Sequence, residues 1–318
     1  MSGAAGCTMP SDSHAQRKAG SLRAVLVALL VLGAQAGAVP AAAAADADLP
    51  AASRVDTAPT AVTASAVSFD SADRRTRLVG YLFRPAGEGP FPAIVLMHGR
   101  AGLYSSLPGS TVSLASLSAR HRYWARYWAG QGYVALLVDG FAPRGNPAGF
   151  GRATYADRPP EVSEQTVRPL DADGAAAFLR ARTDVISDRI GLLGWSNGAM
   201  AALARVTRPG DAGPFRAAVA LYPGCAIPER DRARPQVPLL LLIAGEDEEV
   251  SPQRCVRWAG AVAATPGFAW HLHEGAAHNF DGLALGTRAT EADRKAAAEA
   301  ERLASRFLAQ HLAGRPPP

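Results

Sequence analysis

Residues 189–206 read RIGLLGWSNGAMAALARV: an apolar run, a turn of small residues around Ser196, then an alanine-rich stretch. A serine between Gly194 and Gly198, where strand gives way to helix, stands where a nucleophile would. The chemistry needs that context. At a sharp strand-to-helix turn the hydroxyl is lifted above the sheet, and side chains in place of the two glycines would strike the neighbouring strand and helix. The helix start adds free N–H groups and a positive dipole end beneath a developing oxyanion.

A serine hydroxyl attacks a carbonyl only when a base takes its proton, and that base needs a carboxylate to orient it. On a sheet of this kind the chain order is serine, acid, histidine. Downstream, LLLLIAGEDEEVSP places Glu246, Asp247, Glu248 and Glu249 directly after an apolar run. Asp247 is the preferred acid, because it falls in the first turn beyond the strand and its short side chain suits a fixed imidazole; Asp139 is the fallback. In HEGAAHNF, His278 lies in a small-residue loop ahead of the last helix, which is where the base must descend. The second oxyanion donor must come from the loop in IVLMHGRAGLYS, where Gly99 and Gly102 admit a close backbone. The expected donors are therefore the N–H groups of Arg100 and Asn197. The Arg100 side chain has two open readings, a substrate anion or a nearby acid. Trp195 is a candidate wall of the acyl pocket and equally a core residue. His271 and His273 form an i, i+2 pair on one strand face; no third ligand is evident, so no metal is expected and a partly exposed edge strand is the better reading.

The elements that must position these groups are legible from periodicity. Ala61–Phe69 and Arg77–Arg84 read as an antiparallel hairpin. Short runs apolar on both faces then follow at Ala93–Met97, Tyr133–Val138, Ile190–Leu193, Ala217–Leu221, Leu239–Ala244 and Phe268–Leu272, as parallel strands covered by helices require. Helical patterns lie between them at Arg122–Gly130, Leu170–Arg182, Gly198–Val206 and Pro252–Ala263. A last amphipathic helix spans Glu291–Leu312. This is an α/β fold with a doubly wound, mostly parallel sheet of about eight strands and no separate lid domain. Two connections, Leu103–Arg120 and Phe141–Pro169, are long and follow strand carboxyl ends, where ligand sites of open sheets lie.

With 318 residues, 48 % of them hydrophobic, the chain suits one sizeable core. Residues 1–45 read as a secretory signal: Arg17, Lys18 and Arg23 precede the apolar run Ala24–Leu32, and Ala43–Ala45 ends a small-residue stretch. Residues 46–60 are an aperiodic tether, and residues 61–318 form the catalytic domain. The expected location is therefore periplasmic or secreted. The formal charge is +5, of which residues 1–45 carry three basic groups and one acid; the balance is scattered rather than a patch, so nucleic acid is not an expected partner, and no later apolar run suits stable membrane insertion.

Taken together, VLMHGRAGLYS, GYVALLVDGFAPRG, RIGLLGWSNGAM, LYPGC, GEDEEVSPQRC and EGAAHNF resemble the dienelactone hydrolase family of α/β-hydrolases over roughly residues 65–312. The resemblance implies a triad of Ser196, Asp247 and His278 with oxyanion donors Arg100 and Asn197. It implies no metal or organic cofactor, and a small-molecule ester or lactone substrate. The name-giving enzymes carry cysteine in the elbow where this chain has Ser196, which moves the expectation toward a general carboxylic-ester hydrolase. Arg100 and Arg144 are the candidates for the family's carboxylate-binding arginines. A catalytically silent binding protein and a peptidase on the same scaffold are the alternatives. Cys225 and Cys255 follow consecutive strands, so their loops neighbour each other at the sheet's carboxyl edge, and a disulfide between them is expected to pin the loop bearing Asp247.

Overall fold

The computed structural model describes residues 62–105, 112–282 and 288–313. The expected signal at 1–45 and tether at 46–60 lie outside the described residues.

Eight strands form one sheet: β1 (Thr63–Asp70), β2 (Arg77–Arg84), β3 (Phe91–Met97), β4 (Val134–Asp139), β5 (Val185–Trp195), β6 (Ala217–Leu221), β7 (Leu239–Ala244) and β8 (Phe268–His273). Their spatial order is β1-β2-β4-β3-β5-β6-β7-β8. Only the β1–β2 and β2–β4 pairings are antiparallel; from β4 to β8 every pair is parallel. The helices are α1 (Ala119–Gly130), α2 (Arg168–Arg180), α3 (Asn197–Val206), the short α4 (Ala226–Arg230), α5 (Pro252–Val262) and α6 (Glu291–Leu312).

Side chains on a strand alternate between its two faces, and the core divides accordingly. Val95, Met97, Leu136, Leu192 and Leu241 point to the face covered by α2, α3 and α5. Ile94, Leu96, Leu137, Leu193 and Leu242 point to the face covered by α1 and α6. Both faces are dry, which is why β4, β6 and β7 are buried along their whole length and why these strands read as continuous apolar runs rather than alternating ones.

The winding reverses between β3 and β5. From β3 the chain crosses outward to β4, then returns past β3 to β5 and proceeds the other way. The loops after β3 and β5 therefore leave the sheet on opposite sides of one crevice, the switch point where open α/β sheets bind ligands. Ser196 follows β5 and Arg100 follows β3.

The expected elements agree with the observed ones to within a few residues, with two differences. Strand β5 begins at Val185, earlier than Ile190, because Val185 pairs with Phe91 across an irregularity in the β3–β5 register. Helix α4 was not expected; its five residues begin directly at Cys225, where Pro228 and the disulfide constrain the chain.

Cys225 and Cys255 are bonded, with Cα atoms 5.0 Å apart across a sequence separation of 30. Both are buried. The bond joins the start of α4 to α5 and so encloses β7 and the acidic loop after it. In the chain-entropy description, closing a loop of this length stabilises the fold by ~3–4 kcal/mol. Titration of the oxidised, denatured protein should find neither of these two thiols reactive, and reduction should lower the urea midpoint correspondingly; two reactive thiols at these positions would contradict the bond.

Candidate active site

Ser196 stands immediately beyond β5 with φ 51° and ψ −114°. A non-glycine residue in that left-handed region is strained, so the surroundings must hold it there. Its N–H donates to Leu221 O at 3.0 Å and its carbonyl accepts from Met200 N at 2.9 Å. The glycines around it are dictated by contact. A Cβ on Gly194 would lie 2.3 Å from Gly198 O, and one on Gly198 would lie 2.0 Å from Met97 O. Helix α3 thus begins pressed against the end of β3, and the elbow glycines are steric necessities.

Two further loops converge on this hydroxyl. Beyond the paired part of β7 and β8 the chains stay zipped, Gly245 N to His273 O at 2.9 Å and Glu246 N to Ala276 O at 2.9 Å. That zipper carries residues 247 and 278 forward side by side. Helix α6 holds the second loop from behind: Asp293, in a capping box with Thr290, accepts Ala277 N–H at 2.9 Å.

The result is a continuous relay. Ser196 Oγ lies 2.8 Å from His278 Nε2, and His278 Nδ1 lies 2.7 Å from Asp247 Oδ2. The other oxygen of Asp247 accepts the N–H groups of Glu249 and Val250, each at 2.9 Å. A carboxylate accepts only, so Nδ1 carries the proton and Nε2 is left to accept from the serine hydroxyl. The side chains of His278 and Asp247 are each 1 % exposed, so water does not compete for the bond between them. Of the four acids in the loop it is Asp247 that meets the imidazole ring. Glu248 accepts the His278 backbone N–H at 3.0 Å. Asp139 lies elsewhere, bonded to Tyr104 at 2.6 Å.

The loop after β3 abuts the same point: a Cβ on Gly99 would lie 3.5 Å from Ser196 Cβ and 3.4 Å from Trp195 O. Among the described residues neither Arg100 N–H nor Asn197 N–H donates to a protein acceptor, which leaves both free to meet a substrate oxygen. The Arg100 side chain is engaged with Glu249, Nε to Oε2 at 2.8 Å and Nη2 to Oε1 at 2.7 Å. Of its two readings, the ion pair is the one seen. Glu249 Oε2 also lies 3.6 Å from His278 Nε2. Burial alone would raise the Glu249 carboxyl, but hydrogen bonds from Arg100 and the charges of His278, Arg100 and Arg152 outweigh it and lower its pKa. An anionic group therefore stands beside the relay.

Two expected substrate contacts are placed differently. Arg144 is buried in a bidentate bond to Asp171, both contacts at 2.8 Å, and in a 2.9 Å bond to Asp73. Both terminal nitrogens of its fork are engaged by these internal carboxylates, and among the described residues no contact ties it to Ser196. Trp195 is wholly buried, its ring 5.9 Å from Trp124 and 5.7 Å from His121; it is core. Trp195 is the last residue of β5 and its ring lies on the face covered by α1 and α6, whereas the sharp turn at residue 196 carries the serine beyond the strand end.

Sequence reading missed the groups that hold the relay's neighbours. Arg120 Nη1 donates to Asn279 Oδ1 at 2.7 Å and to Tyr222 Oη at 3.1 Å, and Tyr222 donates to Asp281 at 2.5 Å. Trp124 Nε1 donates to the other Asp281 oxygen at 2.8 Å. The Tyr222 ring packs edge-on against His278, centroids 4.9 Å apart, and burial keeps its phenol protonated. Beneath the elbow, Arg168 donates to His98 O at 2.8 Å and to Asn197 Oδ1, while Asn197 Nδ2 reaches Tyr155 and Glu164 at 2.7 and 3.1 Å. Tyr155 and Glu164 belong to the long 141–169 connection, so that segment braces the elbow. No local motif marks these residues.

The chain belongs to the dienelactone hydrolase family. The family model, described as "Dienelactone hydrolase family", matches residues 78–312. A curated relative from Bradyrhizobium sp, named "Probable 2-oxo-3-(5-oxofuran-2-ylidene)propanoate lactonase", is 26 % identical over 161 residues, 51 % of this chain and 57 % of that protein. Among solved structures, a dienelactone hydrolase-like promiscuous phosphotriesterase from metagenomic libraries superposes with TM-score 0.58 at 18 % identity, covering 79 % of this chain and 99 % of the other. A puromycin-hydrolysing peptidase of Mycobacterium tuberculosis gives TM-score 0.59 at 18 % identity, covering 83 % of this chain and 41 % of that one. These structural likenesses show the α/β-hydrolase fold.

Two buried histidines give the site a pH-dependent foundation. His98 lies behind the loop after β3, Nδ1 2.8 Å from Gly99 O and Nε2 3.4 Å from Gly140 N, and burial lowers its pKa well below the usual value. Burial likewise lowers His121 to about 3. The unfolded chain binds these protons near the ordinary pKa of 6.5 and the folded chain does not, so the stability they contribute is full above pH 6.5 and is lost as pH falls toward the folded values. The urea midpoint should therefore drop between pH 7 and pH 5. In His121→Gln that drop should shrink, by up to about 1.4 kcal/mol per pH unit; an unchanged pH slope would contradict the neutral, buried assignment.

Proposed function

We propose that this member of the dienelactone hydrolase family is an exported serine hydrolase that cleaves carboxylic esters or lactones through an acyl-enzyme. The observation that carries the reading is the unbroken Ser196–His278–Asp247 relay with contacts of 2.8 and 2.7 Å.

Ser196 Oγ attacks the substrate carbonyl carbon while His278 Nε2 takes the hydroxyl proton. The carbonyl oxygen becomes an oxyanion facing the N–H groups of Arg100 and Asn197. The positive imidazolium is stabilised across 2.7 Å by Asp247, and Glu249, 3.6 Å from Nε2, adds to that field. Collapse breaks the carbon–oxygen bond of the ester, and His278 gives its proton to the departing alkoxide. Water then attacks the acyl carbon with His278 again as base, releasing the carboxylic acid and restoring Ser196. In a lactone the alkoxide and acyl group belong to one molecule, so the product is a single hydroxy acid.

One feature supports esters and lactones over amides, and a second bears on the size of the acyl group. The Bradyrhizobium relative is named as a lactonase. The connection between β6 and β7 holds only the short α4, leaving small or protruding acyl groups the natural occupants. Export is supported by the reading of residues 1–45 and by a disulfide, which persists in an oxidising compartment.

The purified chain should hydrolyse p-nitrophenyl acetate. Ser196→Ala should lose at least ~10⁴-fold in kcat/KM, and Asp247→Asn roughly 10³–10⁴-fold, with unchanged circular dichroism. Substantial turnover in a folded Ser196→Ala protein would refute the mechanism. Faster cleavage of amides than of matched esters would move the activity to the peptidase class.

A further inference from the structure

His271 and His273, two residues apart on β8, send both side chains to one face of the sheet's edge strand. The sequence offers this pair no third partner, but helix α6 does. Glu299 Oε2 lies 3.2 Å from His271 Nε2 and 3.5 Å from His273 Nδ1. One ligand atom from each of the three side chains falls within 4.8 Å of the others. We propose that His271, His273 and Glu299 form a binding site for a borderline divalent cation, of which zinc is the type, tying β8 to α6.

Three observations carry this. The first is spacing. Zinc bonds of about 2.0–2.2 Å in tetrahedral geometry set neighbouring ligand atoms about 3.3–3.6 Å apart. The two carboxylate-to-imidazole separations lie close to that spacing, and the two imidazole atoms fall within 4.8 Å of each other. Two imidazoles with one carboxylate suit zinc, copper or nickel, whereas magnesium and calcium demand oxygen-rich shells.

The second is the state of His273. The residue is 4 % exposed, yet its Nε2 has no partner among the described residues. Its Nδ1 meets Glu299 only at 3.5 Å, which is long for a hydrogen bond. A buried imidazole served so poorly is costly, and a leucine would fill the same space without that cost. A cation on Nδ1 would replace that long contact with a bond and leave the ring's proton on Nε2.

The third is the setting. Arg302 approaches the other carboxylate oxygen, Oε1, at 3.5 Å, which turns Oε2 toward the rings. The cluster lines an open pocket of about 520 Å³ together with Glu274, Ala292, Lys295 and Ala296, so the ion has access and room for one or more waters as remaining ligands.

The consequence is mechanical. Strand β8 has a sheet partner on one side only, and five residues beyond His273 the same chain presents His278. Asp293 on α6 already holds that loop at Ala277. A cation between Glu299 and the two histidines would fasten the strand end to the same helix, bracing the loop from its other end.

The test uses the full chain without an affinity tag, stripped with EDTA and titrated with zinc against a chromophoric chelator at pH 7.5. One equivalent should bind, and saturating zinc should raise the thermal midpoint. His271→Ala and Glu299→Gln, both at partly exposed positions that leave the core intact, should each weaken binding at least ~10-fold and remove the thermal shift. Absence of a saturable equivalent, or one that neither substitution weakens, would overturn the proposal. The readout is binding, so it stands or falls separately from the hydrolase reading.

Discussion

The close approach of α3 to the end of β3 is the constraint from which the site follows. Met97 O occupies the space where any side chain at residue 198 would begin, and Gly198 O does the same for residue 194. With both glycines in place the chain turns from strand to helix within one residue, and Ser196 accepts a left-handed backbone as the result. The strain is local and the interactions that over-determine it are not. They are the hydrogen bond to β6, the first turn of α3, and the Arg168–Asn197–Glu164 cluster beneath.

Around that fixed hydroxyl the electrostatics are layered. Asp247 and His278 are shut off from solvent, so their bond has little competition from water. The Tyr222 ring packs against the imidazole and its hydroxyl donates to Asp281, with Arg120 beside both. Glu249, held by Arg100, stands 3.6 Å from Nε2. A charge forming on the imidazole thus meets the carboxylates of Asp247 and Glu249 already in place, which need not reorganise when the proton moves.

What could be read in the sequence was whatever is encoded locally. The strands announce themselves by runs apolar on both faces, because helices cover both sides of the sheet. The elbow announces itself by two glycines and a serine, because clashes at single atoms forbid anything larger. His278 and Asp247 followed from chain order and from their position just beyond strands. Arg144 was illegible for the opposite reason. Its partners Asp73 and Asp171 come from a hairpin turn and a helix distant in sequence, and nothing near residue 144 foretells them. The same holds for Glu299, whose approach to His271 and His273 depends on how α6 lies across the edge of the sheet. Trp195 ends a strand that helices cover on both faces, so either face it takes is buried.

The account rests on Ser196 being a nucleophile activated by His278. Incubation with a fluorophosphonate, followed by mass mapping of the adduct, tests that most directly. One phosphonyl group on the peptide bearing Ser196, with labelling slowed by orders of magnitude in His278→Ala, is the predicted result. An unlabelled Ser196 in folded protein, or an adduct on another residue, would contradict it.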